Sequence, residues 1–318
     1  MSEEIPPAEP AEPAEPAEPA EPAEPAELAE LARRFEAERP QLRAVAYRML
    51  GSIAEAEEAV QEAWLKLGRS DAGGVRNLGA WLTTVVGRVC LDQLRSRASR
   101  REDPMPEQED RVRLPDPVVG GLSALDPVHE VLVADSVGIA LMVVLETLSP
   151  AERVAFVLHD MFEVPFDGIA EVLGRTSAST RQLASRARRR VQGATPAADS
   201  DNARKRTVVE AFLSAARGGD FDALLTVLDP DVVARSDGGT LVPSALRRGA
   251  ADVASQAITF ARFAAEGRIV LVNGSPGVVS FAEGRPLSVM SFTVRGGRIT
   301  ALDILTDPVR LAALGLTA

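Results

Sequence analysis

The chain has 318 residues, 46% hydrophobic and 25% charged, a mixture that suits two or three soluble domains and excludes a collagen-like, mucin-like or wholly disordered chain. No apolar run of roughly 18 residues is present, no basic-then-apolar leader is visible, and the single cysteine, Cys90, excludes an internal disulfide and a cysteine-built zinc site, which favours a cytoplasmic protein with no membrane span and no cofactor. The net charge of −11 is a tail property, because residues 1–30 hold ten glutamates and no lysine or arginine, and the near-neutral body carries its basic charge as arginine except at Lys66 and Lys205.

Residues 7–27 repeat Pro-Ala-Glu. Proline at every third position blocks a regular helix and the glutamates repel one another, so 1–27 is expected to be a disordered, solvated tail. From 28 to 101 apolar residues recur at helical spacing: Leu31, Phe35, Leu42, Val45 and Met49, then Ile53, Ala56, Val60, Ala63 and Leu67, then Leu78, Leu82, Val85 and Val89. Ser52 with Glu55 predicts a capping box at the second helix. Residues 102–127, rich in proline and acid, are expected to be a linker, and 128–192 a second helical domain. Residues 203–318 open with two helices, then give strand-like runs at Arg268–Val272, Gly277–Phe281, Leu287–Val294 and Ile299–Leu305, with a tight hairpin at Gly296-Gly297. Helices first and an antiparallel sheet afterwards predict an α+β fold. The expected fold is thus multidomain: two all-α domains followed by an α+β domain.

The strongest local signal is Phe166–Val191, where a short apolar-faced helix, the turn residue Gly174 and a second helix have helix-turn-helix spacing. Thr176, Ser177, Ser179, Thr180, Arg181, Gln182 and Ser185 occupy the start of the second helix, where side chains reach base edges, and Arg188 follows for phosphate contact. A helical hairpin with a solvated basic face has the same spacing, but six arginines and no acid between 175 and 190 favour DNA. In the first domain, Glu55, Glu57, Glu58 and Glu62 give one helix an acidic outer face. The next helix carries Asn77, Trp81, Thr84, Arg88 and Arg95, a set suited to unstacked single-stranded bases, although Trp81 also fits a core position.

The strings YRMLGSIAEAEEAVQEAWLKL (47–67) and LGAWLTTVVGRVCLDQLR (78–95) resemble region 2 of bacterial extracytoplasmic-function sigma factors, and LSPAERVAFVLHDMFEVPFDGIAEVLGRTSASTRQLASRARRRV (148–191) resembles region 4. The last domain resembles a SnoaL-like (nuclear transport factor 2-like) cone, the extension of the sigma-J-like subgroup. That subgroup's linker motif is matched by Leu114-Pro115-Asp116-Pro117, with Arg113 where a tryptophan is usual. Its cone motif is matched by Asp237-Gly238-Gly239, followed here by Thr240 and Leu241, and its terminal motif loosely by Asp307-Pro308-Val309-Arg310.

The resemblance implies a monomeric sigma factor whose partners are core RNA polymerase (β′ clamp helices, β flap) and promoter DNA. Glu55, Glu57, Glu58, Gln61, Glu62, Trp64 and Leu65 would meet the clamp helices. Arg69–Asn77 and the Trp81 helix would engage the melted −10 element, and region 4 would read the −35 element as duplex. The linker would lie in the polymerase active-site and RNA-exit channel. The cone would regulate in cis by docking on regions 2 and 4 through Asp237-Gly238-Gly239, with room for an unidentified small-molecule ligand. Two other classes remain: a duplex-DNA regulator acting without polymerase, and a cone-domain enzyme or ligand carrier. Asp237, Glu283 and Asp303 are possible bases in the cone, but no Tyr or His donor accompanies them, so no enzymatic activity is expected.

Overall fold

The computed structural model describes residues 25–70, 77–102, 112–121, 138–194, 201–262 and 266–317; the Pro-Ala-Glu repeat up to residue 24, most of the 69–77 loop and His129 lie outside them. Three helices build the first domain: α1 (Pro25–Leu50), α2 (Ile53–Leu67) and α3 (Leu78–Glu102). Their expected stripes meet in one core, with Leu42, Val45 and Met49 of α1, Ala56, Val60 and Ala63 of α2, and Leu82, Val85 and Val89 of α3 all buried. Only half of the predicted capping box forms. Ser52 Oγ accepts the Glu55 amide, but the Glu55 carboxylate pairs with Arg97 of α3, a guanidinium being a stronger partner than a neutral amide.

The second domain contains α4 (Ile139–Leu145), α5 (Pro150–Phe156), a π-helical turn at Val157–Met161, α6 (Phe166–Leu173) and α7 (Ser177–Ala194). A complete capping box opens α5, where Ser149 and Glu152 satisfy each other's backbone amides. Gly174 has the left-handed φ of 63° that the turn between α6 and α7 requires, and Thr176 Oγ1 accepts the Ser179 amide to cap α7.

These two domains are not independent bodies. Gly87 of α3 faces Val172 of α6 and Leu158 of the π turn, and a single continuous core runs through both domains. Arg153, 2% exposed, donates to Glu146 at 2.8 Å and to the Arg48 carbonyl across the interface, while the Arg48 guanidinium lies 4.9 Å from the centre of the Phe162 ring.

The third domain follows with α8 (Asn202–Gly218), α9 (Phe221–Val227), β2 (Leu228–Asp237), β3 (Ala245–Arg248), α10 (Ala250–Ala261), β4 (Glu266–Val272), β5 (Ser275–Ala282), β6 (Arg285–Arg295), β7 (Arg298–Leu305) and α11 (Pro308–Ala313). A two-residue strand from the linker, β1 (Val119–Gly120), completes a seven-stranded sheet in the order β1-β4-β5-β6-β7-β2-β3. The sheet is mixed, which corrects the antiparallel expectation: β2 runs parallel to β7. Its sequence hides it, because Pro230 and three aspartates depress any strand signal. Two-residue hairpins at Asn273-Gly274, Glu283-Gly284 and Gly296-Gly297 join β4 through β7, every one of the six residues having positive φ.

One sheet face packs beneath α8, α9 and α10; the other buries Val279, Val289 and Leu305 with Ile139 of α4 and Leu311 of α11, so the cone leans on the second helical domain. Asp303 is 1% exposed, with one oxygen on Arg235 and the other without a partner. Burial raises its pKa against the opposing pull of Arg235. The stability this group contributes is present below the ordinary carboxylate pKa of about 3.9 and is lost as pH rises through its folded value. Urea unfolding should therefore show a fall in stability above pH about 4 that Asp303→Asn lacks.

Candidate functional site

A dense set of polar contacts forms where linker, first helical domain and cone converge. Asp116 is the hub. Its amide donates to the Gly51 carbonyl, its carbonyl accepts the Tyr47 hydroxyl, and its carboxylate accepts the Ile53 amide at the start of α2. The other carboxylate oxygen takes Arg310 of α11 at 2.6 Å. Arg310 spreads three nitrogens over the clamp, reaching Asp116, Asp237 Oδ2 at 2.7 Å and the Leu114 carbonyl at 2.7 Å. Asp237, 4% exposed on its side chain, also accepts the Leu114 amide. A planar guanidinium with a fixed fork of donors suits such a set; an ammonium does not.

The cone motif acquires a physical meaning here. A Cβ on Gly238 would collide with the Val242 carbonyl, and one on Gly239, which has φ 67°, with the Asp307 carboxylate. Asp307 caps α11 by accepting the amides of Val309 and Arg310, with Pro308 in the first turn, and so aims Arg310. The Asp237 carbonyl in turn accepts the amides of Thr306 and Asp307. Thr240 and Leu241, which replace the rest of the motif, are exposed and outside the clamp.

Two residues that the sequence reading missed complete the site. Asn273, at the β4–β5 hairpin, exchanges hydrogen bonds with the Val118 backbone and donates to the Tyr47 hydroxyl at 3.0 Å. Burial raises the Tyr47 pKa well above the usual phenol range, helped by the Asp116 charge and opposed by the Asn273 bond and two arginines, so Tyr47 stays a neutral donor. The Asn-Gly dipeptide and the chain's only tyrosine were the available signals. The Asp237-Gly238-Gly239 loop therefore docks on the linker, which corrects the expectation that it meets both helical domains directly. Pro115 and Pro117, both buried, fix the linker's extended backbone between these contacts.

On α2, Glu58, Gln61, Glu62 and Leu65 are exposed. Glu57 is held by Arg43 at 2.7 Å, Glu62 by Lys66 at 2.8 Å, and Trp64 packs on Phe35 with ring centres 4.9 Å apart. Glu55 leaves the predicted set, since its carboxylate turns inward to Arg97. On α3, Asn77 Oδ1 caps the helix through the Ala80 amide, Thr84 bonds back to the Ala80 carbonyl, Trp81 is half-buried, Arg95 is exposed near Asp92, and Arg88 donates to the Glu171 carbonyl of α6. On α7, Arg181, Gln182 and Ser185 are exposed, with Arg181 over the Phe166 ring; Ser177 bonds Asp167, Ser179 is half-buried, and Arg188 pairs with Asp160. Thr180 is a correction: it is fully buried on the inner face of α7, its hydroxyl spent on the Thr176 carbonyl, and it cannot read a base.

A cavity of about 480 Å³ lies between α8, α10 and the sheet. Of the candidate bases, neither Asp237, Glu283 nor Asp303 lines it. Among the described residues no cluster of three metal-ligating side chains occurs, and no helix is long and apolar enough to cross a membrane.

Comparison with known proteins agrees with this architecture. Residues 34–100 match the family described as Sigma-70 region 2, and residues 139–191 that described as Sigma-70, region 4. Over 291 residues the chain is 42% identical to the ECF RNA polymerase sigma factor SigJ of Mycobacterium tuberculosis H37Rv, covering 86% of this chain and 91% of that protein. It is 37% identical over 286 residues to the probable ECF RNA polymerase sigma factor SigI of the same species, covering 88% and 94%. The crystal structure of the M. tuberculosis extracytoplasmic function sigma factor SigJ aligns with a TM-score of 0.71 at 36% identity, over 88% of this chain and 98% of that one.

Proposed function

Since the chain belongs to the extracytoplasmic-function (ECF) RNA polymerase sigma factors, we propose that its NTF2-like cone regulates it in cis, clamping the linker against region 2 and keeping regions 2 and 4 closed on each other. As a sigma factor it binds core polymerase and directs promoter-specific initiation. The observation that carries the regulatory reading is Asp116, which is bonded at once to Ile53 of region 2 and Arg310 of the cone. A linker held this way is unable to enter a channel of the polymerase, and α3 stays against α6 through Arg88 and Gly87. Core binding therefore requires the clamp to open, and the two DNA-reading modules gain affinity only once polymerase sets their separation.

Glu58, Gln61, Glu62 and Leu65, with the edge of Trp64, meet the β′ clamp helices; the exposed face of α7 reads the −35 element, and Trp81, Arg88 and the α3 N-terminus take the −10 strand after opening. Core polymerase lacking sigma, mixed with the full chain and run on gel filtration, tests this. The parent should co-elute, and Glu58→Lys with Glu62→Lys should weaken binding at least tenfold, with a helical spectrum like the parent's, because like charges then face basic residues. Unchanged co-elution would remove α2 from the interface. Absence of binding by every form would leave a regulator that acts on duplex DNA alone.

A further inference from the structure

We propose that the cone cavity is a receptor site for a long-chain carboxylate, and that its occupancy loosens the linker clamp; the second half rests on the cis-regulatory reading above. The cavity crosses the sheet from Gly267 on β4 through Ser280, Met290 and Ile304 to Ser236 and Arg247 on β2 and β3. Its lining is drawn from six neighbouring strands, each about 4.8 Å from the next along the sheet, which suits an elongated guest. The long walls are apolar, from side chains such as Phe212, Phe260, Met290 and Leu302. Among the described residues no aspartate or glutamate lines the cavity, whereas Arg217 and Arg247 do.

The two arginines differ. Arg247 is paired with Asp252, but Arg217 makes one bond among the described residues, to the Gly267 carbonyl at 2.8 Å, which leaves most of its donors uncommitted. Gly267 makes room for it, since a Cβ there would press on the guanidinium. Beside it is Ser280, which lines the cavity and whose hydroxyl lies 3.8 Å from where a Cβ on Gly267 would stand. An exposed arginine with uncommitted donors and the Ser280 hydroxyl at one end of an apolar slot match a carboxylate head with a hydrocarbon tail.

The far end of the slot is the back of the clamp. Ser236 and Thr306 line the cavity, are 3.5 Å apart through their hydroxyls, and immediately precede Asp237 and Asp307. Thr306 holds the Asp237 carbonyl through both its amide and its hydroxyl. A tail pressing on this pair displaces the strand ends that carry Asp237, Asp307 and Arg310. Because coupling is reciprocal, a loosened clamp must also bind the guest more tightly.

The full-length chain should be titrated with cis-parinaric acid, which brightens in apolar surroundings, and the probe then displaced with hexadecanoate and with hexadecan-1-ol. Saturable one-to-one binding is expected, with the acid at least tenfold stronger than the alcohol. Arg217→Gln should abolish that preference, as expected for loss of a charge-assisted bond. Hydrogen exchange of residues 112–121 should speed up when hexadecanoate is bound, and Arg310→Ala should bind the probe more tightly than the parent. An absence of saturable binding, or equal affinity of acid and alcohol in the parent, overturns the receptor. Arg217-dependent binding with unaltered linker exchange overturns the coupling. If Arg310→Ala leaves linker exchange unchanged even without probe, the cis-regulatory reading fails instead, and the binding result still stands alone.

Discussion

In the Arg310→Ala variant the amide protons of Leu114 and Val118 will exchange about 100-fold faster than in the parent chain, while the unfolding midpoint of the helical domains hardly moves. Removing one member of a largely buried ion pair costs roughly 3 kcal/mol or more, because the remaining charges lose their partner, and 1.4 kcal/mol is a factor of ten. Here two carboxylates are stranded together: the Asp116 and Asp237 side chains are 13% and 4% exposed, and Arg310 is the cation they share. The cheapest relief is for the linker to lift off, which hydrates both. Helix α11 should survive, since its cap is Asp307 and not Arg310. Arg310→Lys should lie between, since one ammonium cannot reach Asp116, Asp237 and the Leu114 carbonyl together. The released factor should bind core polymerase more tightly by about the same factor as the exchange, provided the closed state is what competes. Unchanged exchange at Leu114 would show that Arg310 is not what holds the linker.

What the sequence disclosed follows the range of the forces involved. Helical stripes, the Gly174 turn and the Gly296-Gly297 hairpin are encoded by neighbours a few residues apart, and they appear where expected. The clamp is not local: Tyr47 and Asn273 are separated by 226 positions and meet only because β1 adds the linker to the edge of the cone's sheet. Asp116, Asp237 and Arg310 lie in motifs that a family resemblance marks, but that one guanidinium joins the two carboxylates is a fact of tertiary packing. Thr180 departs from its expected role for a different reason. Small hydroxyls at a helix start look alike in sequence, and only the phase of α7 against Leu183, Ala184 and Ala187 shows that Thr180 lies inside. Glu55 likewise has capping-box spacing, yet Arg97 arrives from α3 and outcompetes a backbone amide.

A Gly87→Leu substitution should pry region 4 from region 2 without unfolding either. Gly87 is buried in the middle of α3, and a Cβ built there would already lie 3.3 Å from Val172 of α6 and 3.5 Å from Leu158. Alanine fits with a shift of a few tenths of an ångström, so Gly87→Ala serves as the near-neutral control. Leucine adds three further carbons in the direction of Val172, and overpacking of that kind costs about 1–3 kcal/mol. Within α3 the same change is favourable, since glycine is about 1 kcal/mol worse than leucine in a helix interior. The strain therefore falls on the interface, where Arg88 to Glu171, Arg153 to the Arg48 carbonyl and Arg48 over Phe162 are the polar contacts to be given up. The closed population should drop roughly fivefold to 100-fold relative to the open one, seen as a larger radius of gyration in small-angle scattering and as tighter binding to core polymerase. If the leucine variant scatters like the parent and binds polymerase no better, the contact between α3 and α6 does not limit activity, and the linker clamp alone must account for regulation.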